Sequence, residues 1–124
     1  MHKVIIDKAS LLVSCFIVIP VSFVYGFFPF EYFEIYPDTV DDSNLLKAVM
    51  GLYLAFSALW ILGLFKAKYF KAALTSNVFF MLGLSFGRVL SMTLDGIPSI
   101  LFIFGCLGEL LLGGYSLWLL RTKP

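Results

Sequence analysis

The sequence predicts an all-α protein, a bundle of four membrane-spanning helices with both termini on the cytoplasmic side. Composition is the first observation behind this. Of 124 residues, 60% are apolar and 14% charged, with a mean hydropathy of +0.96, whereas soluble domains run at about 45–50% apolar and about 25% charged. Second, the windows 9–30, 45–65, 72–94 and 97–120 each supply the roughly 20 mostly apolar residues that a bilayer-crossing helix needs. Third, the charges between the windows alternate in sign. Lys3 and Lys8 precede span one, Lys66, Lys68 and Lys71 separate spans two and three, and Arg121 and Lys123 follow span four. The segment "EYFEIYPDTVDDSN" between spans one and two carries Glu31, Glu34, Asp38, Asp41 and Asp42 and no basic residue. Positive charge is retained on the cytoplasmic side of a membrane, which sets the orientation. Residues 1–124 therefore read as a single integral membrane domain, with any activity placed within, between or at the ends of the helices.

Span one begins after His2, Lys3 and Lys8, and "LVSC" within it resembles a lipoprotein cleavage box. An export signal is not expected, because only six residues separate Lys8 from Cys15 and the apolar run continues through Val24. Cys15 reads as a small core residue, and Cys106 in span four lies at a different depth, so no disulfide is expected. Pro20 suggests a kink near mid-membrane. Span two is capped by Asp42 or Ser43, which supply acceptors for its first amides. Asp95-Gly96 with Pro98 makes a tight outer turn between spans three and four. Trp60 and Trp118 fall near the inner interface, and Tyr25, Tyr32 and Tyr36 near the outer one, as an aromatic belt. Gly83, Gly87 and Ser91 on span three, and Gly105 and Gly113 on span four, form small-residue faces suited to close helix packing. No residue-level repeat is evident.

Four ionisable residues stand out: Lys47, Arg88 and Glu109 inside the windows, and Asp95 in the short turn between spans three and four. A lone charge at mid-bilayer costs roughly 2.5–3.5 kcal/mol on insertion scales, so each must be paired, neutralised or near water. At about 1.5 Å per residue, Lys47 lies about 5 Å deep from the outer side, Arg88 about 10 Å below Asp95, and Glu109 about 16 Å below Pro98. Side chains lean toward their own helix's N-terminus, so Arg88 on the outgoing helix and Glu109 on the returning one lean toward each other. The short turn makes these helices antiparallel neighbours. A buried Arg88–Glu109 ion pair is predicted. Lys47 reads as snorkelling to the outer head groups, and Asp95 as a turn residue that also shares a face with Arg88.

The polar pattern extends beyond the pair. Asn77, Met81, Arg88, Ser91 and Asp95 share roughly one side of span three, and Asn44, Lys47 and Gly51 one side of span two. Together they outline a polar pocket open to the outer leaflet, with Arg88, Glu109, Asp95, Lys47, Asn44, Asn77 and Ser91 as candidate ligand-binding residues. The sole histidine is His2, and the sequence contains no phosphate-binding glycine loop, HExxH helix, CxxC pair or nucleophile triad. No catalytic residue, metal site or cofactor is assigned. The methionines read as packing residues, and no exposed basic patch is extensive enough for nucleic acid.

"NLLKAVMGLY" in span two, "GRVLSMTLDGIPS" at the end of span three and Glu109 in span four resemble a group of small bacterial four-span integral membrane proteins catalogued as a domain of unknown function. The resemblance covers roughly 44–120 and implies the fold and a bacterial inner-membrane location, with no activity. In that group arginine is usual at the position of Lys47. Lysine cannot supply the same forked contact, so an anion-binding role does not carry over to this position.

Three functions are compatible with these residues. The preferred one is a non-enzymatic binding or accessory module holding a lipid-like ligand, or docking on a larger membrane complex or a second copy, with Arg88, Glu109 and Asp95 shaping the pocket. An alternative is a small oligomeric proton-coupled transporter in which Glu109, desolvated and without a close arginine, exchanges a proton. Least favoured is a membrane enzyme acting on a lipid, with Glu109 or Asp95 as acid or base.

Overall fold

The computed structural model describes residues 2–122, with side chains for 6–122. The side chains of His2 and Lys3 and the whole of Lys123 lie outside the described residues. Five helices follow in order: α1 (His2–Phe27), α2 (Pro29–Phe33), α3 (Val40–Phe65), α4 (Phe70–Leu94) and α5 (Ile100–Thr122). All but α2 hold stretches long and apolar enough to cross a membrane: Ile6–Phe27, Val40–Phe65, Ala67–Leu94 and Ile100–Thr122. Chain reversals at 28–39 and 95–99 lie at one end of the bundle, the loop end. The 3₁₀ turn Ala67–Tyr69 lies at the other, with the ends of α1 and α5.

The helix boundaries differ from the expected windows for local reasons. Helix α3 starts earlier, at Val40, because Thr39 and Asp42 form a capping box: the Asp42 amide donates to Thr39 Oγ1 at 3.0 Å and the Thr39 amide to Asp42 Oδ2 at 3.3 Å. Asp42 thus closes the box from inside the first turn, and neither it nor Ser43 is the cap. Helix α1 runs through Pro20 and stops at Phe27, and Pro29 starts α2 at the position where a missing amide costs nothing. Helix α5 starts at Ile100, three residues after the expected 97, because Gly96 turns at φ 110, Pro98 restricts the residue before it, and the Ser99 carbonyl accepts the first amides from Phe102 and Ile103.

Helix α1 packs along α3 and α4 along α5, and the two pairs join chiefly through α3 and α4, with α1 and α5 meeting only sparsely. At the terminal end the seams are tight. Gly63 of α3 abuts Ala73 of α4, and a Cβ on Gly63 would collide with the Ala73 methyl. Trp60, placed at the interface by the sequence, is fully buried, with its indole N–H donating to Ser76 Oγ at 3.0 Å and its ring edge-on to Phe80 at 5.1 Å. The indole reaches a partner on the next helix, so it needs no head-group region. Trp118 is half-exposed.

Hydroxyl and amide groups tie the helices together. Asn77 Nδ2 donates to Ser14 Oγ at 3.0 Å, Ser116 donates to Asn77 Oδ1 at 2.7 Å, and Ser116 shares a 2.9 Å bond with Ser10. This clamp of α1, α4 and α5 is wholly buried. Tyr115 donates to the Ile6 carbonyl at 2.6 Å, and Lys8 Nζ to the Leu64 carbonyl in the last turn of α3 at 2.8 Å, where a cation suits the helix C-terminus. Both cysteines are buried and free: Cys15 faces the Ser57 carbonyl, while Cys106 and Ser85 exchange bonds to each other's carbonyls. Among the described residues, no buried side-chain nitrogen or oxygen lacks a hydrogen-bond partner.

The small-residue faces work differently from the expectation. Only Gly113 is closely packed, against Leu82 and Met81; a methyl group on Gly83, Gly87 or Gly105 would meet nothing within 4 Å, and Ser91 is exposed. Helix α4 buries Leu74, Asn77, Val78, Met81 and Ser85, and at about 100° per residue Gly83 and Gly87 fall roughly opposite Met81 and Ser85. Gly113→Ala is expected to destabilise the bundle by about 1–3 kcal/mol by overpacking, since its Cβ would lie 2.7 Å from Leu82 Cδ2. Gly87→Ala is expected to be neutral or to stabilise by up to about 1 kcal/mol through helix propensity. Thermal unfolding in detergent measures both; equal losses would contradict this packing.

Candidate functional site

The predicted ion pair is present. Arg88 Nε donates to Glu109 Oε1 at 2.8 Å and Arg88 Nη2 to Glu109 Oε2 at 3.1 Å, a forked bond between α4 and α5. It is not buried as expected: the side chains are 22% and 13% exposed. The reason is that both line a hollow in the bundle.

This crevice, about 290 Å³, lies between α1 and α5. Ile17, Val18 and Val21 form one wall and Leu101, Phe104 and Leu112 the other. It exists because α1 and α5 are drawn together by Ser10–Ser116 and Ile6–Tyr115 near the terminal end and separate beyond. Gly105 and Gly108 thin the α5 wall further. A second hollow of about 460 Å³ opens toward the 95–99 turn, edged by Gly83, Gly87, Ser91, Met92 and Pro98. Tyr25, Tyr53, Leu84, Arg88 and Phe102 border both, so the guanidinium stands where the two hollows meet.

Aromatic rings frame this junction. The Arg88 guanidinium lies over Phe102, 5.5 Å from the ring centre, an arrangement favourable to a cation. Tyr25 and Tyr53 pack edge to face at 5.6 Å, and the Tyr25 phenol comes within reach of both the Tyr53 phenol and Arg88. Phe33 of α2 contacts Tyr25 at 5.0 Å and Phe102 at 5.3 Å, bridging α1 and α5 and closing the crevice at the loop end. Helix α2 is held by the left-handed Glu34 (φ 56), whose amide bonds back to the Phe30 carbonyl.

Of the seven candidate residues, Arg88, Glu109 and Ser91 border the hollows. Asp95 accepts from Ser91 Oγ at 2.9 Å and is exposed; as the C-cap of α4 it turns to its own helix instead of to Arg88. Lys47 is exposed, with Nζ 5.4 Å from the Phe27 ring centre, and Asn44 is exposed; neither borders a hollow. Asn77 belongs to the serine clamp, about 16 Å along α4 from Arg88. Sequence reasoning misses Tyr53 and Phe102 and places Tyr25 in an interfacial belt. One signal was available: Tyr53 falls mid-way along an apolar span, where a phenol needs a partner.

The junction offers hydrogen-bond donors, namely the remaining guanidinium N–H groups and two phenols, at the end of an apolar crevice. Such a site suits an amphiphile whose polar part accepts hydrogen bonds. Among the described residues, no three His, Cys, Asp or Glu side chains converge as a metal site would require. Arg88→Leu is expected to destabilise the fold by about 1–3 kcal/mol, below the range for a fully buried pair because this one is partly exposed, and adding Glu109→Leu to recover part of the loss. Unfolding of the two variants in detergent gives the comparison, and a double mutant no better than the single would contradict a stabilising pair.

Comparison with curated proteins and with solved structures gives no significant match. A family model does match, and it spans α1 to α5, including every residue that borders the two hollows. Through this match over residues 6–120, the chain belongs to the family described as a domain of unknown function, DUF4345.

Proposed function

We propose that this chain is an integral membrane protein of the bacterial inner membrane that binds a lipid-like amphiphile, without chemistry of its own, in the crevice between α1 and α5. The observation that carries this is the crevice itself: apolar walls leading from the bundle's side to a donor cluster at Arg88. A ligand chain would enter from the bilayer, and its polar group would stop at the guanidinium and the phenols. Large apolar side chains exposed around the bundle, among them Phe16, Phe79, Phe86, Leu94, Phe104 and Leu111, support the membrane setting.

Both termini are taken to be cytoplasmic, because Lys8, Lys66, Lys68, Lys71 and Arg121 gather at the terminal end, while Glu31, Glu34, Asp38, Asp41, Asp42 and Asp95 lie at the loop end and only Asp7 sits among the basic residues. That puts Arg88 and Glu109 in the outer half. The forked Arg88–Glu109 bond favours binding over the proton-exchange reading, whose premise was a glutamate without a close arginine. Docking of a larger membrane complex or a second copy would use the same lateral opening.

Native mass spectrometry of the protein gently extracted from its own membranes tests the reading. A stoichiometric bound amphiphile, reduced in Arg88→Leu, is expected; a bare chain, or one carrying only a protein partner, would count against it. For orientation, Ser99→Cys is expected to react with a membrane-impermeant thiol reagent in intact spheroplasts and Thr122→Cys only after lysis. The reverse pattern would invert the topology.

A further inference from the structure

Resting on the amphiphile-binding reading, we propose that the ligand is uncharged, with a planar carbonyl-bearing ring as its polar part and an apolar chain as its tail: the quinone class.

Charge is the first argument. Glu109 already neutralises Arg88 through two bonds, and among the described residues no other acidic or basic side chain borders either hollow. An anionic head group would have to displace Glu109 and leave its carboxylate uncompensated in an apolar setting, and a cationic one would face Arg88 at close range. A neutral head group meets neither penalty.

Hydrogen-bonding polarity is the second. The polar groups at the junction besides Glu109 are guanidinium N–H groups, which only donate, and the phenols of Tyr25 and Tyr53, which can donate. Carbonyl oxygens are the complementary acceptors.

Shape is the third. Tyr25, Phe33, Tyr53 and Phe102 all line the crevice as a run of touching rings, with centroid separations of 5.6 Å for Tyr53–Tyr25, 5.0 Å for Tyr25–Phe33 and 5.3 Å for Phe33–Phe102. Flat faces of this kind favour a flat guest by offset or edge-on stacking, whereas an ester-linked glyceride offers carbonyls but no plane. The crevice beyond, between Ile17, Val21, Leu101 and Leu112, takes the tail.

The test uses the full chain in nanodiscs of neutral lipid, titrated with a decyl-substituted benzoquinone and challenged with decanoate and with a medium-chain diacylglycerol. Saturable binding of about one quinone per chain is expected, with neither competitor displacing it at equal concentration. Tyr25→Phe, which keeps the ring and removes the hydroxyl, is expected to weaken binding about three- to tenfold, the loss of one hydrogen bond, and Phe102→Leu to weaken it as well. Decanoate or diacylglycerol binding in preference to the quinone would overturn the quinone assignment and leave the amphiphile reading standing. Quinone affinity unchanged in both variants would overturn the assignment to this junction. No binding of any of the three would remove both readings together.

Discussion

A polar side chain on an apolar span must find its partner inside the bundle, on its own helix as Ser22 and Ser57 do or on the next, because a surrounding bilayer offers none. That requirement organises this bundle. The serine clamp around Asn77 joins α1, α4 and α5, Trp60 reaches Ser76 across the α3–α4 seam, Ser85 and Cys106 exchange bonds, and Arg88 meets Glu109. Each bond fixes rotation and depth for two helices at once. Apolar contacts alone would not do so, since lipid tails are as good a solvent for leucine as another helix is.

These ties are unevenly distributed, and the site follows from that. Asn77, Ser10, Ser14, Ser116, Tyr115 and Lys8 all act toward the terminal end, where the seams are closed by Gly63 against Ala73 and by the buried indole. Toward the loop end the connections between the two hairpins thin out and the helices part. Arg88 and Glu109 hold α4 to α5, while α1 on the other side of the crevice is held mainly by α3. A rigid half thus supports an open half, and the donors sit at the boundary between them.

Much of this was legible in the sequence. Window length and charge alternation gave the four long helices, and the opposite leans of side chains on antiparallel neighbours gave the Arg88–Glu109 pair. Helix rotation was harder to read. Asn77 and Arg88 share a side of α4 on a helical wheel, yet they serve different clusters, because the partners of Asn77 are serines, whose spacing in an apolar run carries no distinctive signal. The same ambiguity assigned Gly83 and Gly87 to a packing face when they border an open hollow. Aromatic residues misled in another way: belt statistics describe where tyrosine and tryptophan gather on average, and a hydrogen-bond partner on the next helix outweighs that tendency for Trp60. The early start of α3 was masked by acidic residues that read as loop, although Thr39 and Asp42 have the spacing of a capping box.

Phe33, laid across Tyr25 and Phe102, roofs the crevice from the loop end while its flank between α1 and α5 stays open. On the proposed binding function, and for a bundle seated in a bilayer, this geometry would make occupancy a matter of partition within one leaflet. The governing quantity would then be the ligand's mole fraction among the surrounding lipids, and its solubility in water would hardly enter. Exchange would become a two-dimensional search, and a compound too insoluble to be carried through the aqueous phase would still have direct access to the guanidinium.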